Sequence, residues 1–396
     1  MLPLLSNVTV LDLSSIVMGP MATQALGDLG ADIIKIEPPA GDLARASGTP
    51  GPDGTGALFA NNNRNKRSIV LDLKSKDDRT VLDRLVARAD VLLHNLRPAA
   101  AKRLGLDAAR LLALNPRLIH CATVGYGSDG PYAEKPAYDD VIQAASGLVY
   151  LPTETGREPA FVPSIVADKV AGLYAVQAVL AALYRRERSG SGCAIEVPMF
   201  ECLVSFLFNE HLDAASFEED AAPGYRRLLT EHRRPHAAAD GWLAVMPYSE
   251  AHWRRLLKEF GRQDILDADW FPTAAGRNAR SAELYQAISE GLSEQGTAHW
   301  IGRFEELDIP YSCINSLRSL LDHPHLAAKG FFRPRDDTAG RVRSVPQPVR
   351  FSDVQESPDR AAPRCNGDMR EILTQFGFGE DEIGRILERR DSLSAA

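Results

Sequence analysis

Three stretches hold residues whose types and spacing could do chemistry. Asp168 opens the run "DKVAGLYAVQAVLAALYRRE", whose spacing predicts a helix over residues 168–187. A carboxylate at a helix N-terminus lies at the positive end of the macrodipole, which favours its ionised, nucleophilic form. Aspartate also serves there as a plain N-cap, so spacing alone leaves both roles open. The second stretch is "LIHCATVGYGSDGPYAEKPAYDD", in which a strand-like run over 118–124 leads into Gly125, Gly127 and Gly130, spaced G-x-G-x-x-G. A dinucleotide site requires the last glycine to open a helix and an acidic residue about 20 positions later. Here Pro131 follows directly, Pro136 comes soon after, and residues 149–151 read "VYL". The turn is therefore read as a loop at a strand's carboxyl end, a place where open α/β sheets hold ligands. The third stretch, "YRRLLTEHRRPHA", offers Arg226, Arg227, Arg233, Arg234 and His236. It is either a clamp for a distal carboxylate, by bidentate pairing, or a charged linker in water.

The elements around these stretches alternate. Strand-like runs occupy residues 8–14, 32–37, 67–73 and 90–96, with helical spacing over 21–31 and 77–89. Such alternation predicts βαβ units and a mostly parallel sheet. The 168–187 helix is apolar nearly all round, the mark of a buried helix, and "CAIEVPMFE" follows as another strand. Residues 217–234 are charged and linker-like. Helical patterns then fill about 250–320, and a strand-like segment and two helices close the chain. The division expected is 1–216 for the first part of a large domain, 217–330 for linker and small domain, and 331–396 for a return to the large one.

Composition limits the class of function. The chain has 396 residues, 44% hydrophobic and 25% charged, with a net charge of −8. That length buries a core without staples, and the acidic balance argues against a nucleic-acid partner. Five scattered cysteines form no C-x-x-C pair, as in a reducing compartment. No metal site is expected from the nine histidines. No signal peptide is read in "MLPLLSNVTVLDLSS", and no run is read as a membrane span, so a cytoplasmic protein without a membrane partner is expected.

Longer motifs carry a resemblance. "VLDLSSIVMGPMATQALGDLGADIIKIEPPAGDLAR", "NRNKRSIVLDLKS", "HNLRPAAAKRLGL", "VADKVAGLYAVQAVLAALYRRERSGSGCAIEVPMFE" and "LDIPYSCINSLRSLLDHPHLAAKGFF" together resemble the family III CoA-transferases, a group that includes α-methylacyl-CoA racemases. The resemblance implies an α/β fold: a Rossmann-like large domain whose parallel sheet is built from both chain ends, a smaller inserted α+β domain, and two subunits interlocked as a homodimer. It implies acyl-CoA and a carboxylic acid as substrates, with no tightly bound cofactor. Asp168 matches the catalytic aspartate and Asp139 a neighbour that positions it. The CoA path is implied at Val17, Arg45, Leu71, Asp72, Leu73, Lys74, Asn95, Leu96, Arg97, Arg103, Lys135, Ala137 and Tyr138, with Arg64, Lys66 and Arg67 as a nearby basic knot.

The sequence departs from the family's pattern in four places. Ala167 stands where many relatives have glycine. Val17 replaces the glutamine of oxalate-using members, whose glycine-rich loop is here "HAAADGW". Tyr138 replaces the racemases' histidine; tyrosine titrates near 10, which makes it a poor acid/base group. The reaction implied is CoA transfer through an aspartyl anhydride and an aspartyl-CoA thioester. The alternatives are an acyl-CoA racemase and a CoA-binding protein without activity.

Overall fold

A computed structural model describes residues 1–337 and 340–394. The chain folds as two compact units, one of residues 1–146, 162–206 and 330–396, the other of 147–161 and 207–329. The second unit thus starts earlier than the change of composition at Phe217 and takes in a short segment before the long helix.

The first unit is built on six parallel strands: β1 (Thr9–Leu13), β2 (Asp32–Glu37), β3 (Lys66–Val70), β4 (Val91–His94), β5 (Ile119–Val124) and β6 (Cys193–Pro198). Their order is β3-β2-β1-β4-β5-β6. Val10 lies between Ile33 and Val91 on one face and Leu11 between Ile34 and Leu92 on the other, so apolar side chains meet on both faces there, as in a sheet covered on both sides. The strand order reverses between β1 and β4. Parallel sheets open a crevice there, at the carboxyl ends of the strands.

One layer over the sheet joins Leu11, Ile34 and Leu92 to Leu82 and Leu85 of the Lys76–Val86 helix, and to Ile372, Phe376 and Ile383 from the end of the chain. Among the described residues, every strand of this sheet comes from residues 9–198. The carboxyl end adds two helices, Met369–Gln375 and Glu380–Ser394, and not the strands expected of it. It also seals the sheet edge: Ser68 N–H donates to Asp368, Val70 N–H donates to Asn366, and Asp368 N–H returns to the Ser68 carbonyl. The open amides of an edge strand are thereby used up. The strand-like tail segment pairs as Arg333–Asp337 with Gly340–Ser344 in a hairpin of its own.

On the other face lie α1 (Met18–Asp28) and the long helix Val166–Ser189, which packs on α1, β5 and β6. Gly190 ends that helix in the left-handed region, at φ 74°, where glycine carries no Cβ penalty. By length and composition this helix is one that could cross a membrane, although its sequence was not read as a span. It instead buries Val170, Ala171, Ala175 and Val179 in the unit. The expectation of burial all round is corrected: Leu173 and Tyr184 are 62% and 67% exposed.

The second unit has an antiparallel sheet, β7 (His236–Ala238), β8 (Gly241–Val245) and β9 (Tyr311–Cys313), in that order. Helices cover it through Trp253, Leu256, Phe271, Tyr285, Trp300 and Phe304. "HAAADGW" is the β7–β8 hairpin, with Ala238 paired to Gly241.

Candidate active site

Asp168 lies in the first turn of the Val166–Ser189 helix, not at its cap; Ile165 holds the cap position without a side-chain bond. The capping is done from elsewhere. The Asp139 carboxylate accepts the Asp168 N–H at 3.1 Å with one oxygen and the Gln143 amide at 2.6 Å with the other. Gln143 Oε1 accepts the Val162 N–H, and its Nε2 donates to the Ser164 carbonyl. This fixes the strand of chain that leads into the helix. Two carboxyls are thus held side by side, and Asp168 is pushed up to about 7, first by burial and then by the charge of Asp139. The helix dipole favours the anion, but desolvation and a like charge outweigh it. Asp168 therefore titrates near neutrality rather than standing fully ionised.

Asp168 opens onto a cleft of about 310 Å³ at the carboxyl ends of β1, β4 and β5. Its walls include Ser15, Ile16, Asn95, Arg97, Lys135 and Tyr138. A second cleft of about 340 Å³, largely apolar, is lined by Leu71, Asp72, Leu73, Lys74, Leu104 and Leu106. Both linings share Ser15, Leu43 and Leu96, so the two clefts form one continuous groove.

The β1–α1 turn is held rigidly at the junction. Asn95 accepts the Ser15 N–H at 3.0 Å and donates to the Ser15 carbonyl at 2.8 Å. Asp42, paired with the buried Lys35 at 2.8 Å, accepts the Ile16 N–H. Ile16 has φ 72°, a strained conformation for a β-branched residue that persists only where its surroundings impose it. His94, at the end of β4, is pushed down to about 3 by burial and His120. It is a neutral ring whose Nδ1 accepts the Leu96 N–H at 3.3 Å. The one buried thiol on β5, Cys121, is pushed up to about 12 by burial and Cys193, which leaves it a packed hydrophobe without nucleophilic character.

A family model described as CoA-transferase family III matches residues 5–369. The chain belongs to CoA-transferase family III. It is 31% identical over 383 residues to a succinate–glutarate CoA-transferase of Agrobacterium fabrum, covering 94% of this chain and 96% of that one. It is 29% identical over 392 residues to a succinyl-CoA:glutarate CoA-transferase of Homo sapiens, covering 97% and 88%. A solved CAIB/BAIF family protein from Brucella suis superposes with a TM-score of 0.79 at 30% identity, covering 95% of this chain and 99% of that one. The chain is thus an enzyme that transfers CoA, with CoA thioesters as substrates.

In this family III enzyme the groove gathers most of the residues named from sequence and leaves some out. Asp168, Asn95, Leu96, Arg97, Lys135, Ala137 and Tyr138 line the cleft at Asp168, and Leu71, Asp72, Leu73 and Lys74 line the apolar arm. Tyr138 is 70% exposed. Lys135 Nζ sits 3.4 Å from the centre of the Tyr132 ring. Gly125 lets the Lys135–Tyr138 loop close down, since a Cβ there would meet the Ala137 methyl at 2.3 Å. Val17 is buried ahead of α1, outside both linings. Arg45 also lies outside them: it pairs with Glu37 through two 2.7 Å bonds and covers the Phe59 ring at 3.8 Å. Arg103 is exposed at the end of the Pro98–Arg103 helix, outside both linings.

The basic knot faces inward. Lys66 is fully buried against Asp12 at 2.9 Å, Arg64 pairs with Asp28, and Arg67 pairs with Asp32. These are internal ion pairs, not a surface for phosphates. The glycine turn after β5 also offers no free cradle, because Glu201 and Glu196 accept the Gly127 and Ser128 amides.

The basic run of residues 226–236 does not gather into one cluster within its unit. His236 is buried in β7 with Nδ1 2.7 Å from Ser289, and Arg227 turns toward Tyr248. Arg226, Arg233 and Arg234 are exposed. His232 and His236 stand four apart beside Glu231, the spacing nearest to a metal pair. Among the described residues, however, no group of three or more His, Cys, Asp or Glu is placed to hold a metal.

Ser15, Ile16 and Leu43 were not singled out from sequence. They become site residues only because β1 lies next to β4. Gln143 was also overlooked, although a signal existed: it lies four residues after Asp139 on one helix, the spacing at which side chains meet.

Proposed function

We propose that this enzyme moves CoA from an acyl-CoA to a carboxylic acid, with Asp168 as the covalent carrier. The observation that carries the reading is a carboxyl group poised near neutrality at one end of a groove whose other arm is apolar. The apolar arm suits the adenine, and the shared Ser15–Leu43–Leu96 stretch suits the pantetheine, so the thioester is delivered to Asp168. The ionised Asp168 attacks the thioester carbonyl carbon, the C–S bond breaks, and the CoA thiolate leaves a mixed anhydride. The thiolate then attacks the aspartyl carbonyl carbon and releases the donor acid. The acceptor carboxylate attacks the resulting aspartyl thioester, and the thiolate returns to the new acyl group and frees Asp168. The overall exchange trades one thioester for another of similar energy, and the covalent carrier divides it into separate steps.

Dicarboxylic acids are the acceptor class proposed first, since the relatives' names specify succinate and glutarate. We read the two compact units as a large CoA-binding domain and a smaller inserted one, and the working form as an interlocked homodimer. The exposed apolar side chains of the long helix, Leu173 and Tyr184 among them, support a covering partner; such surfaces mark interfaces. Five free cysteines accord with a cytoplasmic site of action. CoA enters as substrate and not as a resident cofactor.

The test is hydroxylamine trapping. Incubation with succinyl-CoA and hydroxylamine should convert Asp168 to a hydroxamate, seen as a mass change on its peptide. An unmodified Asp168 during active CoA transfer would remove the covalent role. Deuterium wash-in at the α-carbon of an acyl-CoA without acceptor would instead favour racemisation.

A further inference from the structure

The second unit contains a cleft whose lining shares no residue with the groove at Asp168. It holds about 240 Å³ and is walled by Tyr225, Tyr248, Trp253 and Tyr285, with Arg227 and Arg277 among them. Trp253 and Tyr285 are 6% and 3% exposed, so the deep wall belongs to the unit's own core. None of its lining residues borders the groove at Asp168.

The charges are unevenly matched. Arg277 donates to the Phe271 carbonyl at 2.8 Å and lies 3.6 Å from Glu250, whose carboxylate is already held by Arg254. Arg227 makes no ion pair among the described residues. Among the described residues its contacts are the Met246 sulfur, to which it donates at 3.8 Å, and the Tyr248 ring, 5.3 Å away. A guanidinium carries five N–H donors, and one weak bond to sulfur leaves most of them for an acceptor in the cleft. Tyr225 and Tyr285 line the same space, and a phenol can donate its O–H. Cationic donors and phenol donors facing one space, with aromatic walls, match an anion with a flat or apolar body.

We propose that this cleft is a binding site for a small organic carboxylate with a flat apolar body, separate from the acids that exchange CoA at Asp168. The carboxylate meets Arg227 and Arg277 and accepts from the two phenols, while its body lies against Trp253 and Tyr248.

The test uses the full-length protein and isothermal titration with benzoate, with inorganic phosphate as a second arm. Asp168→Ala should bind benzoate as the native chain does, whereas Arg227→Met should weaken it about tenfold or more. Tyr225→Phe removes one hydroxyl and keeps the ring; a smaller loss is expected from it, and it stands in for Arg227→Met if that variant misfolds. Quenching of tryptophan fluorescence by benzoate should disappear in Trp253→Phe. Equal binding by native protein and both cleft variants, or no benzoate binding by the native protein, overturns the proposal. Phosphate binding that matches benzoate in strength and in sensitivity to Arg227→Met also overturns it, because it would show a simple anion site.

Discussion

Asp139→Asn tests the coupling of the two carboxyls most directly. Asp168 is raised from 3.8 to about 7, with burial the larger cause and Asp139 the second. The rise is about 3 units, so the share of Asp139 is below half of it, and loss of its charge should lower Asp168 by about 1 unit, or about 1.4 kcal/mol. Asparagine keeps an oxygen to accept the Asp168 N–H, so the helix start stays in place. The nucleophile is the ionised form, and kcat/KM should therefore rise with pH through the Asp168 pKa in the free enzyme. The native profile should have its acid limb near pH 7, and the variant's limb should fall by about 1 unit. The assay is CoA transfer followed by mass spectrometry across about pH 5 to 9. An acid limb that stays in place, or moves upward, refutes the claim that Asp139 destabilises the Asp168 anion.

The same shift acts on stability. The folded-state pKa of Asp168 lies above its ordinary 3.8, so the folded chain holds that proton more tightly than the unfolded chain. Stability is therefore lost as pH rises from about 4, and the loss is complete above about 7. Asp168→Asn should gain up to about 4 kcal/mol in stability at about pH 8 and nothing near pH 4, read as the difference in denaturation midpoints. Asn95→Ala removes both bonds that hold the Ser15 turn; KM for acyl-CoA should rise by about five- to thirtyfold with a smaller change in kcat, in steady-state kinetics. Lys66→Met leaves Asp12 buried without its partner and should cost about 3–5 kcal/mol in urea denaturation, with the Asp12→Asn, Lys66→Met double variant recovering part of it.

Much of the fold was legible because βαβ units write themselves locally. Alternating apolar strands and amphipathic helices carry their own periodicity, and all six sheet strands fall where the runs "VTVLDLS", "DIIKIE", "RSIVLDL", "DVLLHNL", "LIHCATV" and "CAIEVPMFE" stand. The long helix was legible from its apolar run and the glycine that ends it. Its uneven burial was not, since a composition that is apolar all round does not say which side meets the sheet. The edge seal on β3 was equally hidden, because Asn366 and Asp368 lie about 300 residues from the strand they cover.

The candidate site divides along the same line. Residue spacing placed Asp168 at a helix start, and the family resemblance named Asp139 as its companion and picked out the Leu71–Lys74 and Asn95–Arg97 segments. Only the tertiary structure decided what those residues do together. Burial and a like charge, neither written in the local sequence, turned an expected free carboxylate into one that titrates near neutrality. Packing also turned Lys66 and Arg64 inward as ion pairs and sent Arg227 away from its neighbours in the basic run. Periodicity is a property of neighbours along the chain, whereas desolvation and charge pairing depend on segments brought close only when the sheet has formed.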